Sequence, residues 1–178
     1  MPTSPWAREG RAQAALLTAV YLAAVVAANQ IITVFGAALA PLVAFLFIGL
    51  NLATRDRLHD LWGRAVGRNM LLLIAAGGAL SYALNAGAGR VALASVVAFA
   101  LSETADALLY HLRRHRPFLE RSNTSNVLGA AVDSLVFPVL AFGGFPLAII
   151  LLQFVAKTAG GLVWSLILHA HSRRTAAT

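Results

Sequence analysis

The chain has no cysteine among its 178 residues. Disulfides, thiolate metal sites and cysteine nucleophiles are therefore excluded. Charge is nearly as scarce. Only 12% of residues are Asp, Glu, Lys or Arg, about half the ~25% usual in soluble domains. A water-soluble domain of this size has too much surface to leave so uncharged. The GxGxxG and Walker patterns are missing, as is any nucleophile–base–acid arrangement. Hydrolytic chemistry has nothing to rest on, and neither an enzyme nor a cofactor is expected.

What is present is apolar. Hydrophobic residues make up 59% of the chain, and the mean hydropathy is +0.74. Six membrane spans of ~20 residues need ~120, which leaves short loops and two tails but no soluble domain or ATPase module. The expectation is an all-α polytopic membrane protein with six transmembrane helices, near 14–34, 37–54, 66–84, 91–112, 124–142 and 145–168. They form one domain, 14–168, between an N-terminal tail, 1–13, and a C-terminal tail, 169–178. Tight turns are expected at Phe35-Gly36, Asn85–Gly89 and Gly143-Gly144, and a kink at Pro138. The run Ala14–Val34 imitates a secretory signal, but a second apolar run begins at Phe35 where a polar mature chain should start.

There are 14 Lys+Arg against 7 Asp+Glu. Arg8, Arg11, Arg55, Arg57, Arg64, Arg68, Arg113, Arg114, Arg116, Arg121, Arg173 and Arg174 all fall on one side of the six spans. Arg90 stands on the other, and Lys157 lies inside the last span. The positive-inside rule puts both termini in the cytoplasm of a cell whose inner membrane holds the protein. Topology thus accounts for the basic balance, and no nucleic-acid partner is expected. The stretch Arg55–Arg64 reads as a solvated, topology-setting loop. His111 and His115 are spaced as a metal pair but lack a third ligand, so they read as interfacial, like His169 and His171.

Charges within hydrocarbon are the informative residues, since each costs roughly 2.5–3.5 kcal/mol at mid-membrane unless it faces a cavity or a partner. Four are expected there: Glu103, Asp106, Asp133 and Lys157. Glu103, Asp106 and Tyr110 share one helical face, as do Asn126, Asp133 and Phe137, and Gln153 with Lys157. Three polar stripes should converge on an internal site. Lys157 is a natural partner for Asp133, but three carboxylates against one lysine leave two acids over, which favours a substrate or ion site over a structural network. Separately, Ala15, Ala19, Ala23 and Ala27 form a ridge along span one, suited to close helix packing or to docking of another membrane subunit.

These residues also carry a likeness. The segment Asn29-Gln30-Ile31-Ile32-Thr33-Val34-Phe35-Gly36 is one part of it. The second is Asp56-Arg57-Leu58-His59-Asp60-Leu61-Trp62-Gly63, followed by Arg68. A third is Ser102-Glu103-Thr104-Ala105-Asp106 with Tyr110. The longest is Arg121-Ser122-Asn123-Thr124-Ser125, then Gly129, Asp133-Ser134 and Phe137, and Lys157 follows in the last span. In this order they resemble the queuosine-precursor transporter family, also called the vitamin-uptake-transporter-like (VUT) family, over roughly residues 20–165.

The resemblance implies uptake of the 7-deazaguanines preQ0 and preQ1, and a fold similar to the substrate-binding subunits of energy-coupling-factor transporters. It implies a substrate site among Asn29, Glu103, Asp106, Tyr110, Asn123, Asn126, Asp133, Phe137 and Lys157, with Glu103 or Asp133 accepting the N–H donors of a guanine-like edge. Asp56, Asp60, Arg68 and Arg121 would serve coupling or gating. The expected partners are a nucleobase-like solute and membrane lipid, with a second copy or an energy-coupling module as further candidates. Three rivals to a standalone carrier stay open: a binding subunit docked on an ATPase-driven module, a non-transporting membrane scaffold and, last, a membrane-embedded enzyme.

Overall fold

The computed structural model describes residues 5–175, with side chains described for residues 10–170. Arg8, His171, Arg173 and Arg174 lie outside the described side chains. All regular structure among the described residues is helical: α1 (Pro5–Phe35), α2 (Ala40–Val43), α3 (Gly49–Trp62), α4 (Val66–Leu84), α5 (Gly89–Leu112), α6 (Phe118–Phe142) and α7 (Leu147–Thr175). A 3₁₀ turn, Gly36–Leu39, leads into α2, and a π-helical turn, Ala44–Ile48, joins α2 to α3.

Four helical stretches among the described residues are long and apolar enough to cross a membrane: Gly10–Leu84, Ala86–Leu112, Phe118–Phe142 and Leu147–Ala170. The first has 75 residues, and drawn straight it would be ~110 Å long against a ~30 Å hydrocarbon core. Instead it folds back, because α1 packs against both α3 and α4. The reversals fall at Gly36 (φ +71°) and Gly63 (φ +51°), a region where a Cβ clashes and glycine does not.

The helices end where the apolar runs end. α4 stops at Leu84, α5 at Leu112 and α6 at Phe142, as hydropathy predicts. Pro138 sits inside α6 without ending it. The second segment departs from expectation. Its helix does not stop before Arg55 but runs on to Trp62, so the reading of Arg55–Arg64 as a solvated loop is corrected. A helix satisfies its own backbone and tolerates charge wherever a partner waits, whereas a hydropathy window ends at the first cluster of charges.

α5 and α6 form the most extensive helix pair, and α7 packs against α3 and α6. At the α7 crossing the backbones touch: a Cβ on Gly49 would lie 2.6 Å from the Gly160 carbonyl carbon, and one on Gly160 would run into the Phe45 carbonyl. Tyr21, Val25, Leu58, Met70 and Leu73 form one apolar cluster, and Ala28, Ile32, Val43, Ile48 and Val91 belong to another. The polarity is otherwise inverted. Arg55, Asp56, Asp106, Asp133, Gln153 and Lys157 are buried, while Leu71, Leu72, Leu108, Leu151, Leu152 and Val155 are exposed. Apolar flanks around a polar interior suit lipid rather than water as the solvent.

Candidate functional site

The buried polar residues form two clusters. The first centres on Arg55 of α3, whose guanidinium reaches two other helices. Its Nη1 lies 3.2 Å from Glu103 Oε2 and its Nη2 lies 2.6 Å from Asp106 Oδ1, both on α5. Nη2 also donates to Asn126 Oδ1 of α6 at 2.9 Å. Asn126 Nδ2 donates to Asp56 Oδ2 at 3.0 Å, and Ser122 donates to the same oxygen. Glu103 Oε1 is 2.6 Å from His59 Nε2. One fork thus ties α3, α5 and α6 together, which a lysine's point charge would not do. Gly129 packs against the cluster: a Cβ there would stand 3.3 Å from Ser102 Oγ and in ordinary contact with Asp106 and Arg55.

The second cluster lies on α6 and α7. Lys157 Nζ is 2.7 Å from Asp133 Oδ2 and donates to Gln153 Oε1 at 2.7 Å. Asn29 of α1 is held nearby in the same slot, donating to Ser81 Oγ at 2.9 Å and accepting from Ser95 Oγ at 2.5 Å. These groups line a slot with Phe99, Phe137, Ile48 and the π-helical turn. The cavity within it measures only about 20 Å³. It is a narrow slot in this conformation.

Beside it lies a smaller cleft lined by Tyr21, Asn51, Leu52, Arg55 and Glu103, and the two spaces share Ile48 and Phe99 as wall. The slot is nearer the end of the bundle where Thr33 approaches Gly87 and where Arg90 Nε donates to the Leu140 carbonyl at 2.9 Å. The cleft is nearer the other end. There Arg121 Nη2 meets Asp60 at 3.1 and 3.3 Å, and its guanidinium lies 4.4 Å from the Tyr110 ring centre. Tyr110 donates to Asp60 at 3.2 Å.

The sequence-predicted residues are therefore distributed rather than gathered. Asn29, Asp133, Phe137 and Lys157 share the slot. Asp56, Glu103, Asp106 and Asn126 belong to the Arg55 cluster. Tyr110, Asp60 and Arg121 form a latch at the rim. Asn123 donates to the Leu119 carbonyl of its own helix, and the exposed Arg68, among the described residues, meets its neighbour Asn69, so neither joins a cluster. The expectation of two acids left over is corrected, because Arg55 supplies the cation for Glu103 and Asp106.

Arg55, His59, Asn51, Ser95, Ser122 and Phe99 were not among the expected site residues. A signal for three of them was available, since Asn51, Arg55 and His59 stand at i, i+4 and i+8 on one helical face. Along α1, Ala15, Ala19 and Ala23 stay exposed.

Long apolar helices around a polar, ion-paired interior define a multi-pass membrane protein. A family model described as "Putative vitamin uptake transporter" matches residues 18–170, and the chain belongs to that family. The match takes in both clusters, the slot and the cleft. No curated protein and no solved structure gave a match.

Proposed function

We propose that the protein imports 7-deazaguanine precursors of queuosine across the inner membrane as a standalone secondary carrier. The observation that carries the reading is the slot, where a carboxylate, an ammonium and two amides stand beside Phe99 and Phe137 within an apolar bundle. A planar base needs aromatic faces to stack on and a few hydrogen-bonding groups along its edge. Asp133 accepts the N1 and exocyclic amine protons of such an edge. Glu103, the other candidate for this task, is engaged by Arg55 and His59. Lys157 already holds Asp133, so a ligand's N–H edge competes with Lys157 for one carboxylate and links binding to movement of α7.

In this reading Gly10–Leu84 crosses three times, with reversals at Gly36 and Gly63, and the protein crosses six times with both termini in the cytoplasm. The test is queuosine content of tRNA in a bacterial host that lacks precursor synthesis and its own importer and is fed limiting preQ0 or preQ1. Wild type restores queuosine and an equally expressed Asp133→Asn does not. No queuosine despite correct insertion overturns the standalone carrier. The exposed Ala15, Ala19 and Ala23 face of α1 favours a second reading, a binding subunit docked on an ATPase-driven module similar to energy-coupling-factor systems. In that case uptake appears only when such a module is supplied.

A further inference from the structure

Asn51 is only 2% exposed, and among the described residues neither its amide nitrogen nor its amide oxygen has a hydrogen-bond partner. A buried amide left so carries the desolvation cost of both its polar atoms with nothing to offset it. It lines the cleft between the Ile48–Phe99 wall and the Arg55 cluster. Among the cleft's other polar side chains, both Glu103 oxygens are taken, by Arg55 and by His59, and Arg55 is shared among Glu103, Asp106 and Asn126, with its Nε making no hydrogen bond to a described residue; Tyr21 completes the polar lining.

We propose that the cleft is a second, inner subsite on the transport path, where Asn51 pairs with a ligand edge that presents one donor beside one acceptor. A primary amide satisfies such an edge with both its atoms at once. The chemical class is a flat heterocycle carrying a ring lactam, N–H next to C=O. The inference rests on the importer reading and adds a station to it: the base leaves Asp133, passes Ile48 and Phe99 as they part, and is taken by Asn51 before release past the Asp60–Arg121–Tyr110 latch. The orphaned amide is then a group held ready rather than a packing fault, since a leucine of similar volume would remove the unmade bonds.

The test uses the full-length chain in the same host, with uptake and thermal unfolding in detergent measured for wild type, Asn51→Leu, Asn51→Ala and Asn51→Asp. Uptake by Asn51→Leu and Asn51→Ala falls about tenfold or more, while Asn51→Leu unfolds at or above the wild-type temperature. Competition between two probes gives a readout that a packing role would not move. Asn51→Asp offers two acceptors, so 7-deazaguanine, with two adjacent donors, gains about tenfold as a competitor over 7-deazahypoxanthine, which has one. Where Asn51→Asp does not accumulate, the other two variants carry the test. Wild-type uptake in both Asn51→Leu and Asn51→Ala overturns the subsite and leaves the importer reading standing. Loss of uptake with an unchanged competitor ratio marks Asn51 as structural and overturns the subsite too. No uptake by wild type overturns the importer reading, and this inference with it.

Discussion

Arg55 shows how much one side chain decides. It lies almost wholly inside the bundle, with Asp56, Glu103 and Asp106 around it. Removing one partner of a buried ionic group leaves the others unpaired, at a cost of roughly 3–5 kcal/mol. Arg55→Leu is expected to lower stability by about that amount, and Arg55→Lys by less, since it restores charge but not the fork; thermal unfolding of detergent-purified protein measures both. The Asp133–Lys157 pair calls for a double-mutant cycle. Asp133→Asn and Lys157→Met should each destabilise, while the double variant loses less than their sum by roughly 0.5–3 kcal/mol. Strict additivity would mean that the 2.7 Å contact carries no energy.

Among the elements, the α2–α3 arm and α7 are joined by absence of side chains rather than by their fit. Gly160 faces the Phe45 carbonyl inside the π-helical turn, and Gly49 faces Gly160. A π turn widens the helix locally and is a frequent companion of functional sites, and this one lines the slot through Ala44 and Ile48. Gly160→Ala is expected to push the two backbones apart at a cost of ~1–3 kcal/mol. It should also weaken uptake, because Gln153 and Lys157 ride on the displaced helix. Gly67, which lies in α4 and beside which a Cβ would meet open space, is the control, and Gly67→Ala should unfold at or slightly above the wild-type temperature. Melting curves for the two variants decide the matter.

For the whole molecule, the lack of cysteine becomes a tool: any single cysteine introduced is the only thiol in the chain. In intact cells, Gly87→Cys and Phe145→Cys are expected to react with a membrane-impermeant maleimide, whereas Arg64→Cys and Arg116→Cys react only after the membrane is opened. Labelling of all four from one side would end the six-crossing topology. The arginine asymmetry behind this expectation changes in one respect, because Arg55 is buried in the bundle and leaves the group of loop charges.

Composition and periodicity alone were enough for an all-helical membrane protein, for the ends of α4, α5 and α6, and for Asp133 and Lys157 as partners. Those properties depend on residues near in sequence, or on the energy of moving a side chain into hydrocarbon, which each residue carries with it. Other features were legible only in part. The Glu103–Asp106 face could be seen, but the cation it meets, Arg55, lies about fifty residues away on a helix that hydropathy had cut short. The division of one expected site into a slot and a separate cleft could not be read at all. It depends on Ile48 and Phe99, two apolar residues with no chemical signature, meeting across helices. Sequence determined that Glu103, Asp106, Asp133 and Lys157 had to be hidden from lipid; only packing brought Arg55 and Asp56 in with them and decided which groups hide together, because an ion pair or a shared wall is a property of distance between helices, and no helix sets that distance alone.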